Sequence, residues 1–429
     1  MKSLLHIGLS AAALVVATVG ATQAAHAPDR SGCRSGGFVQ FATSNVVSTT
    51  LVAEADTSAT PAIIGSDVVS PAPLVANDAA SPSELNIYSE IGADKLSLNV
   101  STASPRVYVP NHSSDTVSVI DTATQKIVQT IKVGMGPEHI IPSWDLKTLW
   151  VANNANQTIH GSMTPIDAAT GKAGTAVSVN DPYNMYFLPD GSAAIIVAEA
   201  YHRLELRDPQ TMELKSTIET PDCKGINHGD YSADYSFMVF TCEFSGKLMK
   251  VDVKNGKVLE QLSLSKLGSM PQDVRLTADG KTFFVTDMWN DGVYFIDAGT
   301  FLETGFVHTG PGAHGLTTSR DGKKIYVSNR GSNHMPDRAG KPGSVSVLDF
   351  ASKQVERTWL IPGGGSPDMG NVTADGKQLW LSGRFDGQVY VLDTDNGAVT
   401  KINVGIEPHG LTVWPQPGRF SLGHTGNMR

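Results

Sequence analysis

Residues 312–329, GAHGLTTSRDGKKIYVSN, decide the fold. The first half reads as a short strand, Asp321-Gly322 as a tight turn, and KIYVSN as a second strand with apolar side chains at alternate positions. The same grammar recurs in 136–153 (GPEHIIPSWDLKTLWVAN), 181–199 (DPYNMYFLPDGSAAIIVAE), 224–243 (KGINHGDYSADYSFMVFTCE), 270–287 (MPQDVRLTADGKTFFVTD), 366–383 (SPDMGNVTADGKQLWLSG) and 407–424 (EPHGLTVWPQPGRFSLGH). The spacing is roughly forty to fifty residues, the period of a β-propeller blade. Two further strands, GSVSVLDFAS and KQVERTWLI, follow 312–329. A complete repeat therefore has four strands.

The opening of the array is incomplete. RVYVPN, TVSVIDTAT and KIVQTIKV (106–133) match the second, third and fourth strands of later repeats, with no first strand before them. HGLTVW (409–414) supplies it, so both ends of the chain close one blade together and remove the edges that an open array would carry. The reading is an all-β, seven-bladed β-propeller of four-stranded antiparallel blades over residues 101–429. RFSLGHTGN near the C-terminus resembles another second strand and leaves eight blades as the alternative.

Composition agrees. The chain has 429 residues, 42 of them glycine, is 40% hydrophobic and only 17% charged, and carries a net charge of −9. An acidic chain without a basic block excludes nucleic acid as a partner. Residues 1–24 have the charged start, apolar run and small-residue end of an export signal, so a periplasmic or secreted protein without a membrane span is expected. Residues 25–100, rich in Ala, Ser, Thr and Pro, read as a partly disordered low-complexity leader, of which ELNIYSEIG is the part suited to packing on the propeller. Cys223 and Cys242 flank one hairpin and are expected to form a disulfide in an oxidising compartment; Cys33 is left unpaired. Asp190, Asp279, Asp321 and Asp375 recur because they make turns.

VYVPNHSSDTVSVIDTATQKIV, the repeated D-G-K turns, IYVSNRGSN with SVSVLD, and the ending PHGLTVWPQPGRFSLGHTGNMR together resemble the YVTN-repeat propellers and the YncE-like exported proteins among them. The resemblance covers roughly residues 101–429. It implies the fold, within a superfamily that includes the haem-d1 domain of cytochrome d1 nitrite reductases, lactonases and metal carriers, and it does not select an activity. The chain lacks a C-x-x-C-H motif, which excludes covalent c-type haem.

In a propeller the first strand of each blade lines the central channel, and its N-terminal end opens on one face. His139, Asn184, His228, Asp273, His314, Asp368 and His409 sit near that end and should gather at one mouth. Measured back from the turn aspartate, the first four share one column, while His314, Asp368 and His409 sit one place earlier; a one-residue slip reverses a side chain in a regular strand. Singly, each histidine is explained by bonds to turn backbone or water. Repetition is what points to a ligand: imidazole and carboxylate together suit Zn²⁺ or Cu²⁺, with His139, His228, Asp273, His314, Asp368 and His409 as metal donors.

A second circle, from the ends of the second strands, reads Asn153, Glu199, Glu243, Asp287, Asn329, Gly383 and His424, joined by Asn154, Arg330 and Arg384. Acids lie on one side and arginines on the other, a polarity suited to a small polar ligand held by Asn184, Glu199, Glu243, Asp287, Arg330 and Arg384. The arginines have a structural alternative, pairing with Asp287 or Asp386. His334, in the long insertion 330–344, lies on the same face. His112, His160, His202 and His308 are assigned no role.

The expected function is an exported, non-enzymatic propeller binding a metal ion or small polar ligand at this mouth. One alternative is a metal-dependent or lactonase-like enzyme, with Glu199 or Glu243 as base and Arg330 or Arg384 holding an anion. Another is a scaffold whose rim loops bind a protein partner.

Overall fold

The computed structural model describes residues 85–332 and 340–429. The segment read as an export signal, Cys33, the leader up to residue 84 and His334 lie outside the described residues. The described residues form seven four-stranded antiparallel sheets. The first strands of blades 1 to 6 are Pro137–Pro142, Pro182–Phe187, Ile226–Tyr231, Pro271–Leu276, Ala313–Thr318 and Pro367–Val372.

Blade 7 is closed by both ends of the chain, as expected. Thr412–Trp414 pairs with Arg106–Asn111, placing Trp414 opposite Arg106 and Thr412 opposite Tyr108. Trp414 is buried, and its indole N–H donates to the Ala168 carbonyl of blade 1 at 2.9 Å.

Local chemistry explains the repeating turn. The Ser319 hydroxyl donates to Asp321 at 2.6 Å and accepts the Lys324 amide at 3.0 Å. Thr277, with Asp279 and Thr282, and Thr373, with Asp375 and Gln378, repeat the arrangement. Each S/T-x-D-G-K segment thus satisfies its own backbone and reverses the chain. Burial then falls from the axis outwards. Pro271–Leu276 is buried throughout, whereas Lys126–Lys132, an outer strand, is exposed at all but one position. Apolar clusters such as Phe283, Val285, Tyr294 and Ile296 fill the gaps between sheets.

Neighbouring blades are latched near the channel by side chains bonded to the next blade's backbone. Asp230 accepts the Leu276 amide at 2.9 Å, Asp273 the Leu316 amide at 2.9 Å, and Asn371 the Val413 amide at 3.0 Å. Cys223 and Cys242 are disulfide-bonded, with Cα atoms 4.9 Å apart.

The C-terminal segment corrects the eight-blade alternative. RFSLGHTGN does not form a second strand. Residues 415–429 turn back beneath the channel and enter it from the face of the D-G turns. The Phe187 amide donates to the Leu422 carbonyl at 3.1 Å, and the His424 amide to the Met185 carbonyl at 3.1 Å. Gly423 has φ +104°, and a Cβ there would lie 2.2 Å from the Met185 oxygen, so only glycine passes this point. Arg429 and Asn427 anchor the tail on Asp230, at 3.0 and 3.1 Å. Tyr88, from the 85–100 segment, packs on the same face and donates to the Leu276 carbonyl at 2.7 Å.

Candidate functional site

The seven polar residues expected at one mouth divide into two tiers. Each first strand of blades 1 to 6 opens with a register shift against its neighbour, as between Pro137 and His139 or Pro367 and Gly370. The irregularity lets two successive side chains face the channel at different depths. The residue just after the strand opening forms an upper tier of Glu138, Tyr183, Asn227, Gln272, His314, Asp368 and His409. The next residue forms a lower tier in which His139, Asn184, His228 and Asp273 carry the polar groups. Gly410 belongs to this lower position, and a Cβ there would sit 2.0 Å from His139 Nδ1, so the imidazole occupies the space of a side chain.

The upper tier floors an open funnel whose lining includes Glu138, Tyr183, Gln272, His314, Arg330, Arg384 and His409. Four of its charges form two pairs. Arg330 grips Asp368 with two bonds of 2.9 Å, from Nε and from a terminal nitrogen. Arg384 donates to Glu138 at 2.9 Å. His409 Nδ1 lies 2.6 Å from Asp368 and its Nε2 lies 3.4 Å from the Tyr183 hydroxyl. His314 Nδ1 is 2.8 Å from the same carboxylate but off the hydrogen-bonding direction. His112 completes the ring, Nδ1 at 3.2 Å from Glu138 and Nε2 at 2.9 Å from Asn156.

Electrostatics follow from this pairing. Burial works to raise the Asp368 carboxyl, but Arg330, His409 and His314 outweigh it and hold the group well below the usual carboxylate range. Burial is likewise overcome at Glu138, by Arg384, His112 and His409. Burial, then the Arg330 charge, brings His314 down to about 4 against the pull of Asp368. Burial also lowers His409, although Asp368 opposes it. At neutral pH Asp368 and Glu138 are therefore ionised, and His314 and His409 neutral.

The lower tier is different in kind. His139, His228 and His424 stand with ring centroids 4.5 to 5.5 Å apart. Burial, foremost, drives all three well below the usual histidine range; neighbouring imidazoles add to it at His139 and His228, and Arg275 at His424. His424 Nδ1 meets the Asn184 amide nitrogen at 2.7 Å, and its Nε2 lies 3.6 Å from Asp273. His139 and His228 have no hydrogen-bond partner on either ring nitrogen among the described residues.

The predicted site residues are therefore sorted rather than assembled. Of the six expected metal donors, His314, Asp368 and His409 belong to the upper tier, and His139, His228 and Asp273 to the lower. Of the ligand-binding set, Glu243, Arg330 and Arg384 line the funnel, while Asn184 lies a tier below. Two do not line it. Asp287 is turned onto its own loop, where Oδ1 accepts the amides of Met270, Trp289 and Asn290, each at 3.0 Å. Glu199 is buried in the short 3-10 turn Glu199–Tyr201. The partners of the two arginines are Asp368 and Glu138, not Asp287 or Asp386. His424 ends no second strand; the tail carries it into the channel.

Sequence reading missed Glu138, Tyr183, Gln272 and His112. A signal was present for the first three. The place just before His139, Asn184 and Asp273 in each strand, the one that follows the opening proline (Pro137, Pro182, Pro271, Pro367, Pro408), holds Glu138, Tyr183, Gln272, Asp368 and His409 in one column.

Among solved structures, the periplasmic gluconolactonase PpgL of Pseudomonas aeruginosa has a TM-score of 0.58 at 15% identity, over 73% of this chain and 99% of that one. The dihydro-heme d1 dehydrogenase NirN, in complex with DHE, has a TM-score of 0.55 at 13% identity, over 75% and 77%. Both likenesses are of fold alone. The YncE protein of Salmonella typhi is 24% identical over 286 residues, which is 61% of this chain and 73% of that protein. The model of the YncE-like beta-propeller family matches residues 87–417. With the blade grammar, the terminal closure and this match in agreement, the chain belongs to the YncE-like β-propeller family.

Proposed function

We propose that the protein is an exported, non-enzymatic propeller that binds a small polar ligand at the open mouth of its channel. The observation that carries this reading is the internal pairing of the funnel floor, Arg330 with Asp368 and Arg384 with Glu138. Because these four charges already compensate one another, a second strong ion gains little beside them. A neutral polyhydroxylated molecule or a zwitterion gains more, using the remaining N–H groups, the imidazoles and the Tyr183 hydroxyl. Export rests on the character of residues 1–24 and on the Cys223–Cys242 disulfide, which suits an oxidising compartment.

One feature favours a second reading, a lactonase-like enzyme. Asp368 fixes His409 through Nδ1, leaving Nε2 towards the funnel as a base that can activate water. The name of PpgL points to the same chemistry, and glucono-lactone is therefore a suitable probe. Calorimetric titration should show saturable binding of a neutral sugar lactone or a zwitterionic amino acid and none of a dicarboxylate, with binding lost in Arg384→Gln. Absence of heat with every neutral or zwitterionic probe overturns the binding reading. Opening of the lactone that disappears in His409→Gln replaces it with the enzyme.

A further inference from the structure

We propose that the lower tier is a metal site, in which His228, Asp273 and the tail residue His424 take one divalent transition-metal ion of the Zn²⁺ or Cu²⁺ class. It does not depend on what binds in the funnel above. One ligand atom from each of the three residues lies within 4.8 Å of the others, and all three side chains are buried. The independent observation is at His228. It is 0% exposed, and both its nitrogens lack a partner among the described residues. A buried unpartnered polar group is costly, and four such nitrogens on two adjacent rings, His139 and His228, are an uncommon concentration. A bound ion gives at least one of them a partner.

Asp273 is already placed for this role. Its two oxygens accept the Val274 and Leu316 amides at 2.8 and 2.9 Å, which fix the carboxylate and leave each oxygen a further lone pair. Arg275 approaches Oδ1 at 3.4 Å, whereas Oδ2 is the oxygen that faces His424. The donor set is imidazole and carboxylate without thiolate, which favours Zn²⁺ or Cu²⁺ over Cu⁺, and over Mg²⁺ or Ca²⁺, which prefer all-oxygen cages. His139, ring to ring with both His228 and His424, adds a fourth imidazole beside the three.

The tail makes the site conditional. His424 arrives only when residues 415–429 are seated, so the ion would join blades 3 and 4 to the C-terminus. Asn184 supplies a sharp test. Without an ion its amide nitrogen faces His424 Nδ1, the Asn184 oxygen being taken by the Met185 amide at 2.8 Å. Nδ1 is then the acceptor and the ring proton sits on Nε2. Coordination through Nε2 needs that proton on Nδ1 instead, where it requires an acceptor. Asn184→Asp provides one, as the carboxylates behind metal-binding histidines do.

The experiment uses the full chain, stripped with a chelator and titrated with Zn²⁺ and Co²⁺, followed by elemental analysis, Co²⁺ absorption and thermal unfolding. Expected are one ion per chain, a melting temperature that rises with metal concentration, and loss of both in His228→Ala and in His424→Gln. Asn184→Asp should tighten binding about 10- to 100-fold. His308→Gln, on an outer strand of blade 4, should leave it unchanged, and a native far-ultraviolet spectrum for each variant excludes misfolding as the cause. Failure to bind one ion per chain, or equal binding by the His228→Ala and His424→Gln variants, overturns the proposal. So does weaker binding by Asn184→Asp.

Discussion

Two tiers of one channel, a single residue apart along each strand, solve the problem of buried polarity in opposite ways. Above, Asp368 serves Arg330 and His409 at once, and Glu138 serves Arg384 and His112; these acids and arginines compensate one another inside the protein. Below, His139 and His228 are sealed from water with both ring nitrogens unpartnered among the described residues. The contrast teaches that repetition of polar residues at one blade position is not one signal. A self-compensated ring is a stabilising network that can also orient a ligand, whereas an uncompensated one pays a desolvation cost and invites an external partner.

The comparison breaks most visibly at Asp368. Asp368→Ala leaves Arg330 buried without its counter-charge, and the expected loss is about 3–5 kcal/mol in denaturant unfolding. A loss below about 1 kcal/mol would show that solvent screens the upper tier and that its pairing is not what holds it.

Next in size is the seating of the tail. Gly423→Ala sets a methyl group against the Met185 carbonyl at a backbone angle that disfavours side chains. It should cost about 1–3 kcal/mol. The accompanying sign is faster hydrogen exchange across residues 419–429, because the added carbon lifts the tail away from the first strand of blade 2. Unchanged exchange there would mean that the tail is held by the Arg429–Asp230 pair alone.

A pH dependence separates the tiers further. The Asp368 carboxyl lies well below its usual range in the folded chain. Its contribution is therefore fully present above the unfolded value, about 3.9, and is lost as pH falls towards the folded value. Acid unfolding of the wild type should steepen below about pH 4, and Asp368→Asn should flatten that limb. Identical acid limbs for the two proteins would assign the loss to other carboxyls.

The smallest expected effect is in the lower tier. Metal-free His228→Leu replaces an unpartnered imidazole by an apolar group of similar size, so stability should stay within about 1 kcal/mol or rise. A loss above about 2 kcal/mol would reveal a bond to His228 that the tier's geometry does not include, and the contrast between the tiers would fall.

Much of the fold was legible in the sequence because its causes are local. The Ser319-Asp321-Lys324 turn is built from neighbours in the chain, and alternation in KIYVSN follows from the pleat. The pairing of HGLTVW with RVYVPN was readable too, since an array lacking one first strand has one place to find it. The site was legible only as a set of residues. His409 and Asp368 were recognised as candidates, but Glu138 was hidden beside the more conspicuous His139. Counting from the turn aspartate gives two columns one residue apart, but not that both face the channel, because the bulge that turns them inward forms only when the strands pair.

The amino-acid order alone determined the all-β blade repeat, its closure by the two ends and the presence of imidazoles and carboxylates at the strand entrances, because hydrogen bonds within a turn and alternation along a strand need only near neighbours. Tertiary structure alone decided which of those groups meet. Arg384 reaches Glu138 across 246 positions of sequence, and His424 meets Asn184 across 240. Such contacts exist only after seven sheets have closed into a ring and the tail has found the one passage that Gly423 leaves open.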